Sequence, residues 1–266
     1  MELSEPKVMG IVNLTTDSFY DGGRIRSDMD LLHKVEQMLV EGADMIDVGA
    51  YSSRPGAHHI TVEAELETAQ FGINAIIKEF ASAIVSIDTF RMEVARNALD
   101  AGAMIVNDIS GGQLDGEMFD FIARTGVPYI IMHMRGTPQT MASMTDYCDL
   151  TGEVMDYFVG RIKTLTDMGV KDIIVDPGFG FAKTREQNFE LLNKLELLNV
   201  LGVPMLCGIS RKSMIFKTLS QGPDEALNGT TALNMVCLMK GANILRVHDV
   251  KEAKETISLY QSMIKS

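Results

Sequence analysis

The decapeptide AGAMIVNDIS, Ala101 to Ser110, contains in ten residues the unit from which the whole chain is built. Gly102 takes a left-handed backbone at little steric cost, so it reads as the end of a helix. The short apolar run behind it, Met104 to Val106, reads as a buried strand, and that strand closes on Asn107 and Asp108. The same turn recurs as EGAD at Gly42, TGVP at Gly126, MGVK at Gly169, LGVP at Gly202 and KGAN at Gly241. Each copy follows an amphipathic segment and precedes an apolar run. One helix-to-strand turn written six times implies a repeated βα unit.

The runs behind these turns are MIDVGA, MIVNDIS, PYIIMHM, DIIVDPG, PMLCGIS and ILRVHD, and KVMGIVNL with AIVSIDTF brings the count to eight. Their nearly continuous apolar character suits parallel strands covered on both faces. Helices are expected over Met29 to Glu41, Thr61 to Glu79, Arg91 to Ala101, Gly116 to Arg124, Asp146 to Met168, Gln187 to Leu198, Asp224 to Lys240 and Val250 to Ile264. The pattern predicts an α/β fold, a closed (β/α)₈ TIM barrel in a single domain over residues 1–266. The length of 266 residues is close to the roughly 250 usual for that fold. An open doubly wound sheet would bring a Gly-rich phosphate fingerprint after its first strand, and neither G-x-G-x-x-G nor G-x-x-x-x-G-K-[ST] occurs.

Hydrophobic residues make up 46% of the chain and charged ones 23%, without a low-complexity tract, which is a globular composition. A net charge of -12 excludes sequence-independent nucleic-acid binding, which needs a surplus of Lys and Arg. Any anionic ligand must be held by a few placed cations or backbone amides. No apolar run approaches the roughly 20 residues that span a bilayer, and the charged start MELSEPK does not read as a leader, so a cytoplasmic protein is expected. Cys148, Cys207 and Cys237 fit reduced, small buried residues. The 19 methionines read as flexible core filler.

The active site of such a barrel lies at the C-terminal strand ends. Those ends carry Asn13, Asp47, Asp88, Asn107 with Asp108, His133, Asp176, Ser210 with Arg211 and Lys212, and Arg246 with His248. A lone polar residue at a strand end is usually a cap, but a convergent set is costly to bury unless it meets partners or a ligand. Carboxylates and amides at Asp88, Asn107 and Asp176 suit a flat heterocycle bearing donors and acceptors. Arg54, Lys212, Arg246 and His248 suit an anion nearer the rim. Two polar, Gly-containing loops, TTDSFYDGGR and SSRPGAHH, follow the first two strands and could bring Arg24 and Arg54 over the mouth. His58 and His59 lack metal-ligand spacing and read as solvated. SRKS, Ser210 to Ser213, would open a helix after the seventh strand.

Read together, MGIVNLTTDSFYDGG, DVGAYSSRPGA, SIDT, VNDISGG, MHMRGTP, DPGFGFAKT, GISRKS and RVHD resemble the dihydropteroate synthase family, in order from Met9 to about Asp249. The resemblance implies a transferase of folate biosynthesis, condensing 6-hydroxymethyl-7,8-dihydropterin pyrophosphate with p-aminobenzoate, and a target of sulfonamides. It implies that Asp88, Asn107, Asp176 and Lys212 hold the pterin, with Asp47 in support. Arg54, Arg246, His248 and Asn13 would surround the pyrophosphate, Asn13 also reaching a Mg²⁺. Phe19, Ser53, Pro55, Phe181, Lys212 and Ser213 would shape the p-aminobenzoate pocket, and Asp17 would favour cationic character at the reacting methylene. A homodimer is also implied, with no nucleic-acid or membrane partner. The chain departs from the family at Thr16, where Pro is common, at AYSS, where Gly-Glu-Ser-Thr is common, and at Ala182, where Gly is frequent. Ser53 removes one methyl from a pocket wall, worth about 1 kcal/mol at most. Thr16 removes a backbone restraint from the first loop. Two other functions share parts of the pattern: a methyltetrahydrofolate-dependent corrinoid methyltransferase and a non-catalytic pterin-binding barrel. The first has no need of the cations Arg54, Lys212, Arg246 and His248, and the second would be expected to have lost some of them.

Overall fold

The short apolar runs form the strands of one sheet in a computed structural model that describes residues 2–14, 28–52 and 59–265. They are β1 (Lys7–Asn13), β2 (Met45–Gly49), β3 (Val85–Asp88), β4 (Ile105–Asp108), β5 (Tyr129–Met132), β6 (Ile173–Asp176), β7 (Leu206–Cys207) and β8 (Ile244–Val247). All pair in parallel, in the order β6-β5-β4-β3-β2-β1-β8-β7. A bridge between Val175 and Met205 joins the two ends of that order, so the barrel is nearly closed, with its thinnest seam beside the short β7. The expected (β/α)₈ architecture is thus present.

Each of the six repeated glycines has positive φ, from 67° at Gly126 and Gly202 to 110° at Gly102, as a left-handed helix end requires. The helices are α1 (Asp28–Val40), α2 (Val62–Glu79), α3 (Met92–Asp100), α4 (Met118–Thr125), α5 (Leu150–Asp167), α6 (Arg185–Asn193), α7 (Ser213–Thr218), α8 (Leu227–Met239) and α9 (Val250–Lys265). The described residues therefore contain nine α-helices rather than eight. The extra one, α7, is a six-residue turn of helix between β7 and α8, too short to show a hydrophobic period. Two boundaries also move inward for local reasons. Asp149 caps α5 by accepting from Gly152 N, which starts that helix after the expected Asp146. The expected helix through Leu198 instead ends at Asn193 and continues as a 3₁₀ segment, Leu195–Leu201.

Successive side chains of a strand face opposite sides of the sheet. Met9, Met45, Ile105, Ile130, Ile174, Leu206 and Ile244 form one cluster that plugs the barrel interior, and each is at most 2% exposed. The alternate residues, among them Val8, Ile46, Val85, Val106, Tyr129, Val175 and Leu245, join the larger core beneath the helices. Two residues beyond the plug the same parity brings Asp47, Asn107, Asp176, Gly208 and Arg246 inward, as the next layer toward the mouth. No helix among the described residues is long and apolar enough to cross a membrane.

Candidate active site

The inward layer is tied together by direct contacts. Arg246 Nε donates to Asp47 Oδ2 at 2.6 Å and its Nη2 to Asp88 Oδ2 at 2.7 Å, while Asn107 Nδ2 donates to the same Asp47 oxygen at 2.9 Å. Asp47 is fully buried, and its other oxygen, Oδ1, has no partner among the described residues. Two carboxylates on one guanidinium leave a surplus negative charge at the bottom of the mouth while Asp88 is ionised. Burial raises Asp88 first, Arg246 opposes it and Asp47 adds to it, with the net result that the carboxyl is pushed up to about 7. Burial acts to lower Arg246, but Asp47 and Asp88 outweigh it and keep the guanidinium firmly charged.

Asp176 ends β6 on the adjacent wall. Its Oδ1 accepts from Gly178 N at 2.8 Å, and burial raises its pKa against the pull of Lys212. A β-carbon at Gly208 would stand 3.6 Å from Asp176 Oδ2 and 4.0 Å from Arg246, and one at Gly49 would stand 3.5 Å from Asn13 Oδ1 and from Asp88 Cβ. The two glycines thus leave the space beside both carboxylates unfilled by side chain, which is the shape a flat ring needs.

Lys212 stands above this floor as the N-terminal cap residue of α7. Its Nζ donates to the Phe179 carbonyl and lies 4.7 Å from the centre of the Phe181 ring. Burial lowers Lys212 to about 8, with Asp176 the main opposing influence. Ser213, next in sequence, is exposed. At the end of β8, His248 Nδ1 is 3.0 Å from Ser210 Oγ, which also accepts from His248 N at 3.2 Å. The two contacts to one hydroxyl fix the ring's orientation.

Three expected strand-end groups do not join this set. Asp108 is buried on the helix side, where it accepts from Ser110 N at 2.7 Å, Gly112 N at 2.8 Å and Tyr129 Oη at 2.6 Å. His133 is likewise turned outward, against Tyr157 and Phe158. It lines a cleft of about 530 Å³ with Gln113, Met134, Arg135, Met144 and Tyr157. Arg211, at φ 53°, holds Asp249 with two hydrogen bonds of 2.8 and 2.7 Å and the carbonyls of Pro223 and Asp224, so it pins the segment after β7. Only one cation of SRKS faces Phe181. Cys148 is exposed rather than buried, because it precedes the α5 cap, where its N–H donates to Glu153.

Ala182 has φ 48°, a left-handed conformation that is strained for a residue with a β-carbon. Tyr147 Oη holds its carbonyl at 2.9 Å. A network that the sequence reading missed borders the second loop: Arg91 pairs with Glu65 at 2.8 Å and reaches His59 Nε2 and the Ile60 carbonyl, while Tyr51 Oη meets His59 Nδ1 at 3.1 Å and Gln139 at 2.9 Å. His59 is thus exposed yet hydrogen-bonded. The buried pair 26 residues apart carries no local sequence signal. Thr16, Asp17, Phe19, Arg24, Ser53, Arg54, Pro55 and His58 lie outside the described residues. Among the described residues no group of three or more His, Cys, Asp or Glu side chains is arranged to hold a metal ion.

The sequence profile of the pterin-binding enzymes matches residues 9–248. A dihydropteroate synthase from Synechocystis is 47% identical over 247 residues, covering 92% of this chain and 85% of the relative. The solved structure of Yersinia pestis dihydropteroate synthase with a sulfonamide drug complex is similar with a TM-score of 0.95 and 36% identity, covering 100% of this chain and 97% of that one. Xanthomonas albilineans dihydropteroate synthase with 4-aminobenzoic acid gives a TM-score of 0.92 and 35% identity, covering 100% and 96%. This chain belongs to the dihydropteroate synthase family of pterin-binding enzymes.

Proposed function

We infer that the barrel mouth joins 6-hydroxymethyl-7,8-dihydropterin pyrophosphate to p-aminobenzoate, releasing pyrophosphate and forming 7,8-dihydropteroate. The observation that carries this reading is the inward polar layer of Asp47, Asp88, Asn107, Asp176 and Arg246, stacked on an apolar plug and left open by Gly49 and Gly208. In this reading Asp88, Asn107, Asp176 and Lys212 hold the pterin edge. The methylene–oxygen bond to pyrophosphate breaks, the arylamine nitrogen bonds to the methylene carbon, and that nitrogen loses a proton. The amine is already neutral near neutral pH, so no strong general base is required. The surplus carboxylate charge beneath the ring favours positive charge spreading from the methylene into the heterocycle. Asp17 would add to it, and Arg54, Arg246 and His248 would receive the departing pyrophosphate. Phe181, with Phe19, Ser53, Pro55 and Ser213, would wall the p-aminobenzoate and any sulfonamide that competes with it.

A Mg²⁺ carried by the pyrophosphate would neutralise charge on the leaving group. One amide oxygen at the end of β1, Asn13 Oδ1, suits a cation that keeps most of its shell as phosphate oxygens and water. Asn13→Ala is expected to raise KM for the pterin pyrophosphate about tenfold and to shift its Mg²⁺ dependence to higher concentration, with a smaller effect on kcat. Unchanged kinetics across a Mg²⁺ titration would remove Asn13 from this role.

The lowered Lys212 gives a pH signature. Its ammonium is lost as pH rises through about 8, so kcat/KM for the pterin pyrophosphate should fall along a limb centred there. In Lys212→Arg that limb should move upward, and a limb left in place would assign it to another group. Homodimerisation is part of the reading, supported by exposed Leu197, Val200 and Met239 near the contact where Lys240 meets Glu196 and Asn193. Light scattering should give twice the chain mass of 29.3 kDa, and a monomer mass would refute it. The assay that tests the function is pyrophosphate release from the pterin substrate with p-aminobenzoate. Methyl transfer to a corrinoid without pyrophosphate would favour the methyltransferase instead.

A further inference from the structure

The residue after Ala182 in the loop between β6 and α6 is a buried lysine that the proposed chemistry does not use. Lys183 is 8% exposed. Its Nζ lies 2.9 Å from His133 Nδ1, 3.0 Å from the Gly178 carbonyl and 3.0 Å from the Phe181 carbonyl. We propose that Lys183 is the positioning residue of the p-aminobenzoate wall: its ammonium ties the loop that carries Phe181 to the end of β5 and so sets where the Phe181 ring stands.

Three N–H donors meet three close acceptors, with the His133 carbonyl a longer fourth at 3.5 Å, so an ammonium is saturated here, which a methionine of similar length could not be. His133 can accept at Nδ1 because it is neutral: burial first, then Lys183, lowers it to about 2. Burial also lowers Lys183 to about 7, against the pull of Asp176, so the ammonium that ties the loop is the main form below that pH. The loop needs an external tie. Ala182 sits at φ 48°, and a β-carbon at Gly178, φ 70°, would stand 2.1 Å from the His133 carbonyl oxygen, so the backbone runs tight against β5. Phe179 is fully buried and anchored by the core, whereas Phe181 is only partly buried. Loss of the lysine contacts is therefore felt at Phe181 more than at Phe179, whose carbonyl receives Lys212.

The proposal rests on Phe181 being part of the p-aminobenzoate wall, and a double-mutant cycle separates the two ideas. Lys183→Met should raise KM for p-aminobenzoate about tenfold while KM for the pterin pyrophosphate stays within about twofold. Phe181→Ala should also raise KM for p-aminobenzoate, and adding Lys183→Met to it should raise that KM no further. Equal changes in both KM values, or an undiminished effect of Lys183→Met in the Phe181→Ala background, would overturn the positioning role. A rise in Phe181→Ala with none in Lys183→Met overturns the role of Lys183 alone, whereas no rise in Phe181→Ala overturns the wall itself. If Lys183→Met is not recovered folded, Lys183→Gln, which keeps two N–H donors, is read by the same criteria.

Discussion

Arg246→Met is expected to lose about 3 kcal/mol of stability at pH 8, because it leaves the buried Asp47 and the half-buried Asp88 without their shared counter-charge. The cost should depend on pH in a defined direction. With the guanidinium gone, Asp88 stands even further above the unfolded value of about 3.9, so the folded state binds more protons than the unfolded state throughout the interval between them. Stability of the variant therefore falls as pH rises from about 4 past 7, where the native protein's Asp88 already stands at about 7. Urea unfolding at pH 5 and pH 8 measures this. A variant as stable as the native protein at pH 8 would mean that the guanidinium does not hold the two carboxylates.

Lys212→Ala should lower kcat/KM for the pterin pyrophosphate by about 10²-fold, equivalent to about 3 kcal/mol for a charged contact at the reacting centre. Binding and turnover should fall together, since the same ammonium that faces Phe181 stands over Asp176. Calorimetry of pterin pyrophosphate binding, set beside steady-state rates, reads both. Native affinity with a native rate would place Lys212 outside the pterin site.

The barrel was legible because its repeating turn is a local signal: Gly42, Gly102, Gly126, Gly169, Gly202 and Gly241 do the same job, and each has the positive φ that the job requires. The strand ends were legible as positions but not fully as directions. Parity along a strand would have separated Asn107 from Asp108, and Met132 from His133, since one residue of each pair faces the barrel and the next faces the helices. The ion pair of Arg91 and Glu65 and the contacts of Lys183 with His133 depend on how distant loops meet, which no short-range pattern encodes. The helix α7 was legible only at its start, where SRKS reads as a helix opening, because its six residues are too few to reveal a period.

If the inward layer above the apolar plug is the pterin floor, a bound substrate must lie on it. A crystal structure with dihydropterin pyrophosphate and p-aminobenzoate bound tests it most directly. The predicted result is a pterin ring inside the barrel mouth with its polar edge on Asp88, Asn107 and Asp176 and Lys212 over it, the pyrophosphate lying toward His248. A ring bound elsewhere, for instance in the outer cleft between Arg135 and Tyr157, with the floor residues untouched, would contradict it.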